Sequence, residues 1–395
     1  MKKIMILGAS ALQLPIILLA KKRGLYVITV DYNPDAVGIK YADEALVIST
    51  VDKEEVYKQV LRIEPDYVIT STSDMPVLTV AYVNELLKTP CDISYADSFC
   101  ATNKSYMRNR LKECGVPIPQ FYVVNSDEEY LATVEHFDGD FIVKPADNAA
   151  SRGVCLGNKK EKGLLSFYAY SKANSRSGVV LVEEFMHGKE VSVESFTLNK
   201  NTEVITITDK ITTGVPHFVE VGHSEPSEFS AKMQDRIGKV AKAAIKAINV
   251  INGPTHTEIC ITEEGPKVVE LAARLGGDFI ASKLVPLSMG VDLIESSLNL
   301  ATGLPVDLTK KASRASAIMF IPTREGIIKA INGIEDAEKY AGVEEVSIYH
   351  EAGDTVGNVK SSSDRIGHVI ATATTPSKAR AIATDAMNLI KVEYE

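Results

Sequence analysis

Two glutamates pose the first chemical question. In THTEICI, Glu258 stands inside an apolar run, and in VVELAARLGGD, Glu270 stands inside another, with Arg274 four residues further on. Burying a lone carboxylate is costly. The TEEGP between the runs reads as a turn, so the pair reads as a hairpin. Centred on Glu264, that hairpin sets Glu258 opposite Glu270 on one face, with Cβ atoms roughly 4.5–5.5 Å apart. Two like charges at that spacing need either a shared proton or a cation between them. Both remain open on these residues alone.

FIVKPADNAASRGV adds a lysine, Lys144, at the end of an apolar strand, followed by small residues up to Arg152-Gly153. Lysine is almost never fully buried without a partner. Small residues let backbone N–H groups approach a polyphosphate, with the lysine as a mobile point charge. No GxxxxGK[ST] occurs, so this is not a Walker A loop. Taken alone, these residues fit a solvated lysine at a surface strand end better. Further on, LVEEFMHGKEVSVE alternates apolar and acidic positions as a half-buried strand does. Gly8-Ala9-Ser10 with Asp31 lacks the full G-x-G-x-x-G, which argues against a nicotinamide site. Asp74, in TSTSDMP, stands either where ligands meet the C-terminal end of a parallel strand or as the cap of the helix MPVLTVAYVNELL.

The elements that must position these groups change texture along the chain. Over residues 1–100, KIMILG, ALQLPIILLAKKRG, YVITVDY, VDKEEVYKQVLRI and YVITST alternate strand and helix, which predicts a parallel α/β sheet. From residue 101 come a basic helix, NKSYMRNRLKECG, ended by Val-Pro-Ile-Pro, then a strand, a helix and FIVKP. VVLVEEF, EVSVESFTL and EVITITD predict one antiparallel layer. Thr208 to Ser227 is rich in His, Gly and Pro, long for a connection, and therefore a candidate substrate loop, although HSEPSEFS also suits a helix cap. Beyond Ser313, RASAIMFIPT, a short helix, GVEEVSIYH, a GDTVG turn, HVIATATT and a helix from Pro376 predict a small α+β closing domain.

Composition narrows the setting. A chain of 395 residues, 45% hydrophobic, can bury a sizeable core in two or three domains. No apolar run approaches the roughly 20 residues of a membrane-spanning helix, and MKKIMILGAS opens as a strand rather than a signal peptide. The expectation is a cytoplasmic protein without a membrane partner. Cys91, Cys100, Cys114, Cys155 and Cys260 form no CxxC pair, as reduced core thiols would not. A net charge of −9 gives no general attraction for nucleic acid.

Taken in order, the basic NKSYMR helix, the strand-Lys-Pro with its small-residue loop, VEEFMxGxE, Asp209-Lys210 and two glutamates across a hairpin followed by an arginine resemble the ATP-grasp superfamily. The resemblance covers nearly the whole chain and is strongest to the L-amino acid ligase, carbamoyl-phosphate synthase-like and biotin carboxylase-like branch. It implies a mixed α/β and α+β fold. Its parts are an N-terminal parallel α/β domain (1–100), a two-lobed ATP-grasp domain (101–312, lobes about 115–187 and 188–312) and a C-terminal α+β domain (313–395). It implies ATP, with Mg2+ or alternatively Mn2+, small-molecule carboxylate and amine substrates, and a homodimer.

By the same resemblance, Lys104 and Lys144 hold the nucleotide phosphates, and Asp147 to Gly153, with Ser151, covers them. Glu183, Glu184 and Met186 fall on the adenine hinge and Glu190 on the ribose. Glu258 and Glu270 match the metal carboxylates, Arg274 the arginine facing the transferred phosphoryl group, and Lys210 a further phosphate contact. Glu220, His223 and Asp278 fall on the substrate side. The family's common Glu-x-Asn-Pro-Arg reads here Glu270-Leu271-Ala272-Ala273-Arg274, so a metal-ligating asparagine is replaced by alanine. The implied activity is carboxylate activation as an acyl phosphate, attack by an amine, and release of ADP and phosphate. The alternatives are a carboxylating or nucleotide-biosynthesis ligase, an amide ligase of surface polysaccharide synthesis, and a nucleotide-binding regulator without chemistry.

Overall fold

The computed structural model describes residues 1–148, 152–214, 219–359, 361 and 364–395. Strands β1 (Lys3–Leu7), β2 (Tyr26–Asp31), β3 (Glu44–Val47) and β4 (Tyr67–Thr70) form a sheet in the order β3-β2-β1-β4, all neighbours parallel. The central β1 is buried along Ile4–Leu7, which is why it reads as continuous apolar sequence. The parallel sheet was expected; β3 was not, because its four residues alternate half-buried and exposed. Asp31, at the end of β2, accepts a hydrogen bond from the Ala9 backbone N–H at 2.9 Å, so it braces the first turn.

The second sheet comprises β5 (Phe121–Val124), β6 (Asp140–Pro145), β7 (Cys155–Asn158) and β8 (Val180–Glu184), antiparallel in the order β5-β8-β6-β7. It has its own core of Phe141, Val143, Tyr130, Tyr168 and Val182. The third sheet begins with β9 (Lys189–Leu198), β10 (Asn201–Thr212), β11 (Glu220–Glu225), β12 (Gly253–Thr262) and β13 (Gly265–Ala272). The chain then adds β14 (Ala315–Ile321), β15 (Gly326–Asn332), β16 (Val343–Ile348), β17 (Thr355–Val356), β18 (Gly367–Ala373) and β19 (Lys391–Tyr394). Eight strands join in the order β13-β12-β9-β10-β11-β14-β18-β16, and β17-β15-β19 form a small separate sheet.

Two sequence expectations change here, and one sheet runs further than the sequence suggested. The three strands after Gly178 do not share a layer: β8 closes the small sheet, while β9 and β10 open the large one. Of the candidate loop from Thr208 to Ser227, residues 208–212 belong to β10 and 220–225 to β11, with Asp209↔Ser224 and Lys210↔His223 in register, and residues 215–218 lie outside the described residues. Its end does lead into a cap, since Ser230 accepts from Met233 N–H at the start of helix Ala231–Ala247. Finally, β14, β18 and β16 continue the large sheet through β11, so hydrogen bonding crosses residue 312 without a break. One core cluster accordingly runs from Ile4 and Ile16 through Phe196 and Leu298 to Ile318 and Ile370.

Candidate functional site

The hairpin β12–β13 pairs Glu258 directly with Glu270, as expected, but its turn is not centred on Glu264. Thr262 pairs with Gly265 and Ile259 with Val268, and a register shift between Glu258 and Ile259 leaves Val269 as the extra residue. That bulge brings Glu270 opposite Glu258, the kind of re-aiming for which bulges serve near functional sites. Arg108, fully buried on helix Lys104–Glu113, donates to the carbonyls of Val268 (3.1 Å) and Val269 (2.8 Å). It also grips Glu183 through two bonds of 2.8 and 3.0 Å.

Glu183 in turn contacts Lys144 Nζ at 2.7 Å. Arg108 therefore ties the bulge of the large sheet to the lysine of the small one. Burial pushes the Lys144 ammonium down, and the pull of Glu183 does not fully offset it against the cations Arg108 and Lys104. For Glu183 burial works upward, yet Arg108 and Lys144 together hold its carboxyl below the usual range. The Glu183 side chain thus faces this ion pair, while Glu184 accepts from Lys267.

Both facing glutamates have lysine partners. Lys104 donates to Glu270 Oε1 and to the Asn148 carbonyl, each at 2.7 Å. Asn103 caps that helix by accepting from Ser105 and Tyr106 N–H, which fixes Lys104 at its first turn. Lys210 reaches Glu258 (2.9 Å), Glu190 (3.3 Å) and Glu220 (3.5 Å). Burial works against the Lys210 charge, but three carboxylates raise its pKa well above the ordinary value. Glu258 is lowered well below its own: burial opposes this, and Lys210 with His256 outweighs it.

Behind Glu258, His256 Nδ1 lies 2.6 Å from Glu194 Oε1 and its Nε2 lies 3.5 Å from Glu258 Oε1. Burial disfavours the charged ring, yet Glu194 and Glu258 lift it to about 9. Gly276 leaves room for this pair, because a Cβ there would stand 2.7 Å from Glu194 Oε2 and 2.9 Å from His256 Nδ1.

Arg274 finds a partner that the sequence did not suggest. Its Nε donates to Asp74 Oδ1 at 2.7 Å, across 200 residues, and Nη1 donates to the Leu275 carbonyl at 2.9 Å. Asp74 makes no side-chain cap bond, so the cap expectation fails there. On the other side, His223 Nε2 meets Asp278 Oδ2 at 3.2 Å, and Arg365 grips Asp278 through bonds of 2.8 and 2.9 Å. Burial opposes the Asp278 charge, but His223 and Arg365 hold its carboxyl far below the usual range. Asp278 and Phe279 have φ of 49° and 62°, a left-handed pair of non-glycine residues of the sort concentrated at functional sites.

One cavity of about 390 Å3 gathers these groups. Lys104, Lys144, Glu183, Glu184, Met186, Glu190, Lys210, Glu220, His223, Glu258, Glu270, Arg274 and Asp278 all line it. Ser151 lies outside the described residues. Asp74, His256 and Ala272 line it too. Arg108, Arg365, Glu194 and His256 were missed. A run of Lys and Arg on a helix reads as a solvated face, and partners distant in sequence leave no spacing signal.

An ATP-grasp domain model matches residues 137–282. The chain therefore contains an ATP-grasp domain. Residues 318–395 match L-amino acid ligase C-terminal domain 2. The uncharacterized protein y4rH of Sinorhizobium fredii is 32% identical over 292 residues, 73% of this chain and 60% of that protein, so the chain spans less than two thirds of that relative. The L-arginine-specific L-amino acid ligase of Bacillus subtilis is 25% identical over 333 residues, 82% of this chain and 80% of the ligase. The crystal structure of L-amino acid ligase from Bacillus licheniformis superposes with a TM-score of 0.86 at 20% identity, covering 100% of this chain and 99% of that one.

Proposed function

We propose that the chain is an ATP-dependent carboxylate–amine ligase that forms a C–N bond and releases ADP and phosphate, with an amino acid supplying the carboxylate. The observation that carries this reading is the facing pair Glu258 and Glu270, each held by a lysine, in one cavity with Lys144 and Arg274. ATP enters between the small sheet and the large one, with Lys144 and Lys104 on its phosphates and the segment around Glu184 and Met186 beside the base. The substrate carboxylate attacks the γ-phosphorus, the bond to ADP breaks, and an acyl phosphate forms. Arg274, steadied by Asp74, faces the transferred group. The amine then attacks the acyl carbon, and phosphate departs with the former carboxylate oxygen.

Two carboxylates suit a magnesium ion, which takes few protein ligands and completes its shell with phosphate oxygens and water. No group of three or more His, Cys, Asp or Glu forms a metal cluster among the described residues, in keeping with that donor set. Glu258 and Glu270 would hold the ion, which supplies charge neutralisation at the phosphates. His223, Asp278 and Glu220 form the substrate wall, where acidic groups favour an ammonium. The match of the C-terminal residues to the L-amino acid ligase domain supports an amino acid over formate or bicarbonate as the acyl donor. The same proposal includes a cytoplasmic homodimer and the division at residues 100 and 312. Phosphate release measured over a grid of amino acids, hydroxy acids and amines tests it: release should require ATP, one carboxylate and one amine together. Release with bicarbonate or formate alone would move the reading to a carboxylating or formyl-transferring ligase.

A further inference from the structure

A second cavity, of about 320 Å3, lies on the other side of Arg274. Its walls are the edge strand β4, the helix Met75–Leu87, the loop from Thr89 to Ile93, the start of β12, and the helix Leu293–Thr302. It thus sits where the N-terminal sheet meets the large sheet, a usual place for small-molecule sites, and its volume falls in their range. Most of the surface is aliphatic, including Ile69, Val77, Ile93 and Leu275.

The polar groups in this lining are unevenly matched. Arg274 is committed to Asp74 and to the Leu275 carbonyl, and Asn84 to the Val68 carbonyl and Thr89. The Asp92 carboxylate makes no hydrogen bond or ion pair among the described residues; only its backbone carbonyl is used, accepting from Ile251 and Asn252. Its side chain is exposed and lines the cavity, and the protein packed around it pushes the carboxyl up to about 6. Gly253 lets it pack there, since a Cβ at that position would stand 2.8 Å from Asp92 Oδ2. Ser71 is 2% exposed, and its hydroxyl has no partner among the described residues. An accessible carboxylate without a protein partner, set on a mostly aliphatic chamber, suits a donor carrying positive charge on an apolar body.

We infer that this chamber is a binding site for a small primary ammonium compound with an alkyl or aryl body, its ammonium on Asp92 and its body against Ile69, Val77 and Leu300. The site is separate from the nucleotide cavity but shares Arg274 with it, so an occupant touches the arginine that faces the other cavity. The inference does not depend on the ligase reading, because binding is measured without nucleotide.

Calorimetric titration of the full chain at pH 8 with 2-phenylethylamine tests it, with 2-phenylethanol and phenylacetate as uncharged and anionic counterparts. The amine should bind saturably at one site per chain, and the alcohol and the acid at least about tenfold more weakly, as expected when a charge-assisted hydrogen bond is lost. Asp92→Asn should weaken the amine by a similar factor. Ala301→Phe, which fills the chamber from a half-buried helix position, should abolish binding while circular dichroism and the melting transition stay normal. Absent saturable binding by the folded wild type, equal binding of amine and alcohol, or unchanged affinity in folded Asp92→Asn or Ala301→Phe would each overturn the assignment.

Discussion

Lys144 and Lys210 line the same cavity from different sheets and are buried almost equally, with side chains 8% and 5% exposed. Their electrostatic settings are opposite. Lys144 shares one carboxylate with Arg108 and has its pKa lowered; Lys210 faces three carboxylates and has it raised well above normal. Burial is therefore not what distinguishes them; the local balance of charge is. Around Lys144 cations exceed anions, which leaves attraction for a phosphate. Around Lys210 anions exceed cations, which leaves attraction for a metal ion or an ammonium. The two ends of the cavity are separated in this way before any ligand arrives.

The largest expected effect breaks the first of these settings. Glu183→Gln leaves Arg108 buried without its carboxylate and should destabilise the fold by about 3–5 kcal/mol. Glu190→Gln removes one of three carboxylates at a half-exposed position and should cost less than about 1 kcal/mol. Urea denaturation of both proteins checks this, and equal losses would erase the distinction between a closed ion-pair hub and an open cluster.

Next in size are the effects on chemistry. Lys144→Ala and Glu270→Ala should each lower turnover by at least about 10²-fold while folding survives, as when transition-state charge stabilisation is removed. Near-normal turnover in either folded variant would remove that residue from the site. Smaller again is the effect at Ala272, 3% exposed and part of the cavity wall. Half-activation by magnesium should need a high free concentration, and Ala272→Asn should lower that requirement without raising kcat much, since an added ligand strengthens ground and transition states alike. A magnesium titration at saturating ATP decides it. An unchanged midpoint would mean that another group already fills the position.

A further effect, read through pH, lies on the anionic side, one strand beyond Lys210. Burial pushes the Glu225 carboxyl up from 4.5 to about 8, with Thr208 and Ser288 donating to it. Between those values the folded chain keeps a proton that the unfolded chain has released, so this group makes stability fall as pH rises from about 4.5 to 8 and level off above. Glu225→Gln should flatten that slope. Melting curves at pH 5, 6.5 and 8 would contradict the assignment if wild type and variant ran parallel.

What could be read from sequence and what could not follows from range. Glu258 and Glu270 were legible because a hairpin is local and its period fixes which side chains face each other; even so, the bulge at Val269 was invisible, and the pairing came out right for a turn one half-residue out of place. Lys144 was legible as a charge at the end of an apolar run. Arg108 was not, because Lys104–Glu113 is basic throughout and nothing local separates a buried arginine from a solvated one. Asp74 and Arg365 act through Arg274 and Asp278, 200 and 87 residues away. The continuation of the large sheet through β14 was hidden for the same reason: strand type is local, whereas strand pairing is not.

The central claim is that the carboxylate is activated at the γ-phosphorus, between the cationic end of the cavity and the anionic one. It is tested most directly with a carboxylate substrate bearing 18O, once the grid has identified one. The account predicts ADP as the only nucleotide product and one 18O atom carried into the released inorganic phosphate. AMP with pyrophosphate, with the label in AMP, would contradict it.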